Sequence, residues 1–190
     1  SILECCNIKL KGRWNVKKLK CVIIVILCIC LTGCGSKDAE TCKSVVEDFL
    51  TAYQKLDSTA GEYLANRTEE IQFLGVQALL AEQMSFSVEK AEKGDNGYLV
   101  TTQISTVDFK ETFESVVASV DETTSEKVIV DKLYDAIGSE SPQIRTFAVE
   151  IPVQKYDEDY KIELTAELSN ALFGGYNEYL SELTGGMLND

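Results

Sequence analysis

The eleven-residue apolar run CVIIVILCICL, from Cys21 to Leu31, constrains this 190-residue chain more than any other feature. A helix needs about 20 apolar residues to cross a bilayer, so the run is too short to span one. Lys17, Lys18 and Lys20 flank it on one side, and Thr32-Gly33-Cys34 closes it on the other. A basic flank followed by an apolar core of about 7 to 15 residues is the layout of an export signal, and residues 1–33 are read as one. Whatever folds must lie after it and outside the cytoplasm.

The closing residues Leu31, Thr32, Gly33 and Cys34 resemble the lipobox of bacterial lipoproteins: an apolar residue, two small ones, then cysteine. The resemblance implies that Cys34 receives a diacylglyceryl group and becomes the mature N-terminus. Two acyl chains anchor a protein stably where one holds it only marginally. The expected location is therefore the cell membrane, lipid-anchored on its extracytoplasmic face, with the membrane as a partner through that lipid. The signal is long at its start, and no Met precedes Met84. Val16 reads as a GTG start, which makes residues 1–15 upstream translation. Residues 34–43 are expected to form a lipidated tether, because Gly35–Glu40 is short and polar. Residues 44–190 remain as one domain.

Charge divides at Cys34. Before it stand six basic residues against Glu4 alone; from it onward, 12 basic face 30 acidic, a net of −18. A surface that negative repels phosphate, so nucleic-acid binding is not expected. A cationic or cell-envelope partner is, because opposite charge steers association. Cysteine divides there too, with only Cys42 beyond Cys34. No disulfide framework can form from one thiol, and the core must hold the fold.

Along the exported part, Ser44-Val45-Val46-Glu47 has the form of a capping box. It opens a helix whose stripe is Val45, Val46, Phe49, Leu50, Tyr53 and Leu56. A short helix is expected around Gly61–Ala65. A third, capped by Thr68 with Glu69 and Glu70 in its first turn, should bury Phe73, Leu74, Leu79 and Leu80 and run to about Met84. The period then changes to two. Phe86 and Val88 lead into the turn signal Gly94-Asp95-Asn96-Gly97, and Tyr98–Val107 returns as a β-branched strand. Two helices follow, with Phe113, Val116, Val117 and Val120 in the first. The second is capped at Thr124 or Ser125 and stopped at Gly138. A second hairpin puts Phe147, Val149, Ile151 and Val153 on one face, turns within Tyr156–Tyr160 and returns through Ile162 and Leu164. Pro152 lacks an N–H and predicts an edge or a bulge there. A last amphipathic helix, roughly Glu167–Leu183, is interrupted at Gly174-Gly175, read as a close-packing point rather than a hinge.

Paired antiparallel strands with helices segregated between them predict an α+β domain: one curved antiparallel sheet with helices packed on its concave apolar face. The first helix, VVEDFLTAYQKLD, and the closing segment DYKIELTAELSNALFGGY carry a further resemblance. They resemble small lipoproteins of Gram-positive bacteria among the nuclear-transport-factor-two-like, or cystatin-like, cone folds. There the last strand often ends in a WKI-type segment; Tyr160-Lys161-Ile162 stands in that place. The resemblance covers most of residues 44–184 and implies a curved sheet wrapping a pocket. The chain departs from it in having four clear strands and a helical pair over 110–138.

The chain has no histidine, which removes the commonest general base, the Ser–His and Cys–His pairs and the usual zinc ligand. No catalytic, cofactor or metal motif stands out. Asp108, at a strand end, could act as a carboxylate base; the reading preferred for it is a cap for the helix beginning near Lys110. Asp157-Glu158-Asp159 reads as a solvated turn rather than a calcium site, since three adjacent acids cannot converge. Tyr53, Tyr63, Tyr134, Tyr176 and Tyr179 stand on helical faces and read mostly as core. Tyr53, Asp108, Tyr134 and Tyr176 are nonetheless the candidate pocket residues. Two functions follow: a membrane-anchored module that binds a ligand or a protein, or a cone-fold small-molecule enzyme using a carboxylate base and tyrosines. The first is preferred.

Overall fold

Ala39, Cys42, Val46, Phe49, Leu50 and Tyr53 recur at spacings of three and four and bury one continuous face of helix α1, Lys37–Gln54. The computed structural model describes residues 37–65 and 71–185, and these fall within one compact unit. Helix α1 begins seven residues before Ser44, which corrects two expectations. Ser44 lies inside the helix and caps nothing, and residues 37–43 are helical rather than tether. The stripe explains both, because Ala39 and Cys42 extend the buried face toward the N-terminus. Asp38 and Glu40 in the first turn complement the helix dipole.

A 3-10 helix over Ser58–Tyr63 follows, capped by Asp57, whose Oδ1 accepts from Thr59 N at 3.0 Å. The expected cap at Thr68 and the acids after it lie outside the described residues. The helix itself is shorter than expected: α2 covers Val76–Glu82. Gly75 precedes it with φ 55° and ψ −129°, a conformation that sets Phe73 and Leu74 apart from the helix. Phe73 meets the Tyr53 ring edge-on at 5.0 Å, while Leu74 is 72% exposed rather than buried.

Four strands form one antiparallel sheet in the order β1 (Ser85–Gly94), β2 (Gly97–Val107), β3 (Ile144–Tyr156) and β4 (Asp159–Ile162). Helices α3 (Phe109–Ala118) and α4 (Glu126–Ile137) join β2 to β3, and α5 (Ala166–Leu172) and α6 (Tyr176–Leu183) close the domain. The curved sheet is one-sided. Ile104, Val100 and Thr102 on β2 oppose Phe147, Ile151 and Val149 on β3, and all face the helices. Their neighbours Thr101, Gln103, Glu150 and Ala148 face the other way, the first two half-buried and the last two exposed. A bulge between Val88 and Lys90 shifts the register by one, so Phe86, Val88 and Ala91 all stay on the inner side.

Pro152 sits in a central strand, not at an edge. Its carbonyl accepts from Glu163 N at 2.9 Å, so its missing N–H points past the end of β4, which stops at Ile162. The proline marks where pairing ends, and no ladder bond is lost to it.

Contrary to the expectation from sequence, the helices do not all lie on the inner face. Helix α1 and α5 cover it, with Phe49, Leu50, Ile104, Ile151, Ile162 and Leu168 in the core between. The α3–α4 pair packs instead with α2 and α6 around a second cluster of Leu80, Val107, Phe109, Leu133, Ile137 and Tyr179. At the opposite end of β2, Asp38 and Cys42 of α1 lie beside Tyr160, which meets the Tyr98 ring at 6.4 Å.

Candidate functional site

The sheet's inner face is filled by side chains, so the hollow that the cone resemblance implies is occupied by core. Two concave sites lie among the helices, and no strand residue lines them. One is a cavity of about 210 Å³ between the second half of α1 and α5. Apolar Phe49, Leu64 and Leu172 form its floor, and Tyr53, Gln72, Gln77 and Ser169 supply polar groups. Gln77 Nε2 donates to Tyr53 Oη at 3.2 Å, which fixes both side chains.

The second, of about 380 Å³, lies where α2 meets the second cluster. Leu74, Val76, Leu80, Phe109, Leu133 and Tyr176 line it. Gln77 and Phe173 border both cavities, so the two adjoin. The Tyr176 ring stands edge-on to Phe109 at 5.0 Å, which holds one wall in place.

The four residues singled out from sequence do not converge. Tyr53 borders the smaller cavity and Tyr176 the larger. Tyr134 lies behind the rim: a Cβ placed on Gly75 would stand 2.7 Å from the Tyr134 hydroxyl. Asp108 is committed elsewhere. It is the N-cap of α3, its Oδ1 accepting from Glu111 N at 3.1 Å. Asp108→Ala should therefore destabilise the domain by about 1 kcal/mol, with Asp108→Asn close to neutral, as read by thermal melting. A loss confined to binding, with the melting temperature unmoved, would contradict the cap.

Among the described residues the buried polar side chains are Thr102, Thr106 and Thr112, none of them a carboxylate. Displaced titrations have local causes away from the cavities. Burial, with Asp38 nearby, pushes the Cys42 thiol up to about 11, so it stays protonated at neutral pH and is a poor nucleophile. Hydrogen bonds from Thr59 and Thr123 hold Asp57 and Asp121 below the usual carboxylate range. Among the described residues no group of three His, Cys, Asp or Glu is placed to hold a metal; Asp157 and Glu158 form the exposed β3–β4 turn.

Sequence reasoning missed Gln77, Phe173 and Leu74 as cavity residues. The one signal that could have found them was Gly75, a helix-breaking residue inside an apolar stretch. Cys34 and the rest of the lipobox lie outside the described residues. Comparison of the chain with protein-family models, with curated proteins and with solved structures gives no match.

Proposed function

We propose that this chain is a lipoprotein of the extracytoplasmic membrane face, acylated at Cys34, whose acidic domain is a binding module for a ligand or a protein partner. The observation that carries it is the eleven-residue apolar run between a lysine-rich flank and Leu31-Thr32-Gly33-Cys34. Length excludes a span, and composition fits export. Among the described residues no helix is long and apolar enough to cross a membrane, so attachment in this reading falls to the lipid. From Cys34 onward the net charge of −18 supports a cationic or cell-envelope partner over an anionic one.

The same reading takes the domain as a reduced cone-like fold. Its support is the long first helix against a one-sided curved antiparallel sheet; its departures are the four strands and the α3–α4 pair. A binding module is favoured over the carboxylate enzyme because Asp108 caps a helix and the sheet's hollow is filled.

Cells expressing the chain should incorporate labelled palmitate into it and retain it in the membrane fraction. Cys34→Ser should abolish the label and release the protein from the acyl anchor. Unchanged labelling in that variant would sink the proposal.

A further inference from the structure

Strand β3 outruns its partner. β4 pairs with residues 153–156 and stops at Ile162, while β3 extends back to Ile144. Two bonds fix which way the β3 backbone points. Pro152 O accepts from Glu163 N on the β4 side, and Gln143 O accepts from Asp108 N on the β2 side. Backbone groups alternate sides along a strand. The N–H and C=O of Thr146, Ala148 and Glu150 therefore point to the β4 side, where no described strand continues. Among the described residues these groups make no backbone hydrogen bond. Ile144 shares their parity, so residues 144–150 present about 20 Å of open ladder.

Open ladders invite pairing, and the sheet's other edges are guarded against it. β1 carries a bulge between Val88 and Lys90 and the charges Glu89, Lys90, Glu92 and Lys93. β4 is met on its far side by Leu64, which bridges Ile162, and Ala65 N donates to Ile162 O at 2.8 Å. Over 144–150 the sequence IRTFAVE has no glycine, proline or lysine, and its register has no bulge. Side chains beside this stretch set what could join it. Glu150, and Glu163 opposite Pro152, stand exposed on the outer face. Among the described residues neither is in an ion pair; Glu163 accepts from the Gln154 amide at 3.1 Å. Arg145, the cation of this stretch, is held by Glu178 at 3.0 Å. On the inner face Phe147 is half-buried and Val149 buried. An added strand would meet carboxylate with one set of alternate side chains and apolar carbon with the other.

We propose that residues 144–150 of β3 take up an extended cationic peptide, paired antiparallel in line with β4, its basic side chains toward Glu150 and its apolar ones toward Phe147. Main-chain bonds supply affinity, and the carboxylates select charge. The cationic partner of the binding module thereby gains a form, and the role of the domain rests on that reading.

The test uses the domain from Lys37 onward, a compact unit with its own core. The probe is a fluorescein-labelled heptapeptide of alternating lysine and valine, with lysine at both ends. Anisotropy should show saturable binding, about tenfold tighter than for the same peptide with glutamate replacing lysine. Methyl groups on the lysine backbone nitrogens, which face β3 in this pairing, should cost about tenfold or more; on the valine nitrogens, which face away, they should cost little. Glu150→Lys should weaken binding about fivefold, whereas Glu122→Lys, an exposed change of equal charge, should leave it near wild type. Ala148→Pro deletes an N–H that makes no backbone bond among the described residues, so it should fold by circular dichroism and still lose about tenfold in binding. Should that variant not fold, the methylated peptides decide alone. No saturable binding, equal binding of the acidic peptide, equal loss on either methylation, or wild-type affinity in Glu150→Lys would each overturn the site. A concentration-dependent dimer that excludes the peptide would overturn it too, giving the edge to a second copy. Palmitate labelling reads Cys34 alone and these titrations read the β3 edge alone, so either result stands without the other.

Discussion

Replacing Gly174 with alanine is expected to remove a large share of the domain's stability. The residue sits at the corner between α5 and α6 with φ 64°, and a Cβ there would stand 2.2 Å from the Val107 carbonyl oxygen. No side chain shift relieves that contact, because both partners are backbone. The corner would have to move away from the end of β2, and the bond from Phe109 N to Gly174 O, now 2.9 Å, would be strained or lost. Left-handed backbone, overpacking and a lost hydrogen bond together cost about 3–5 kcal/mol. A domain's whole stability is about 5–15 kcal/mol. Gly185 provides the comparison: φ is 60° there, but among the described residues nothing lies within 4 Å of the added carbon. Gly185→Ala should therefore show the backbone cost alone, about 1–2 kcal/mol. Urea midpoints for the two variants separate steric from conformational cost. Equal midpoints would mean that the corner yields freely.

Ile151→Ala should cost about 2–5 kcal/mol, and Glu150→Ala, one residue away, less than about 0.5 kcal/mol. Ile151 is 0% exposed and opposite Val100, beneath the helices, whereas Glu150 points to solvent from the other face. The contrast tests whether β3 is buried on one side only. Similar losses at both positions, measured by chemical denaturation, would mean that something covers the outer face as well.

Local chemistry made much of this fold readable. Gly94-Asp95-Asn96-Gly97 does turn β1 into β2, Asp108 does cap α3, Gly138 does follow α4, and Gly174-Gly175 does break the last helix where close packing demands it. Each signal is carried by one or two residues whose own geometry decides the outcome. The start of α1 was not readable, because Gly35–Glu40 has the composition of a tether while Ala39 and Cys42 are small enough to pass unnoticed as core. Pro152 misled for a different reason. Its effect depends on where β4 ends, a tertiary fact. The candidate site was least legible: Tyr53 and Tyr176 were named, but their separation into two adjoining cavities depends on how α2 packs, and an exposed Leu74 runs against every local expectation.

Strand β2 sets a distance within the domain. Helix α1 starts beside its first residues, near Tyr98, while the larger cavity gathers past its last, near Phe109. Eleven residues at about 3.3 Å each put some 35 Å between the two poles. Among the described residues the two ends share no side chain, so whatever touches the start of α1 leaves the mouth of the cavity open, and a change at one pole reaches the other only along the length of the sheet.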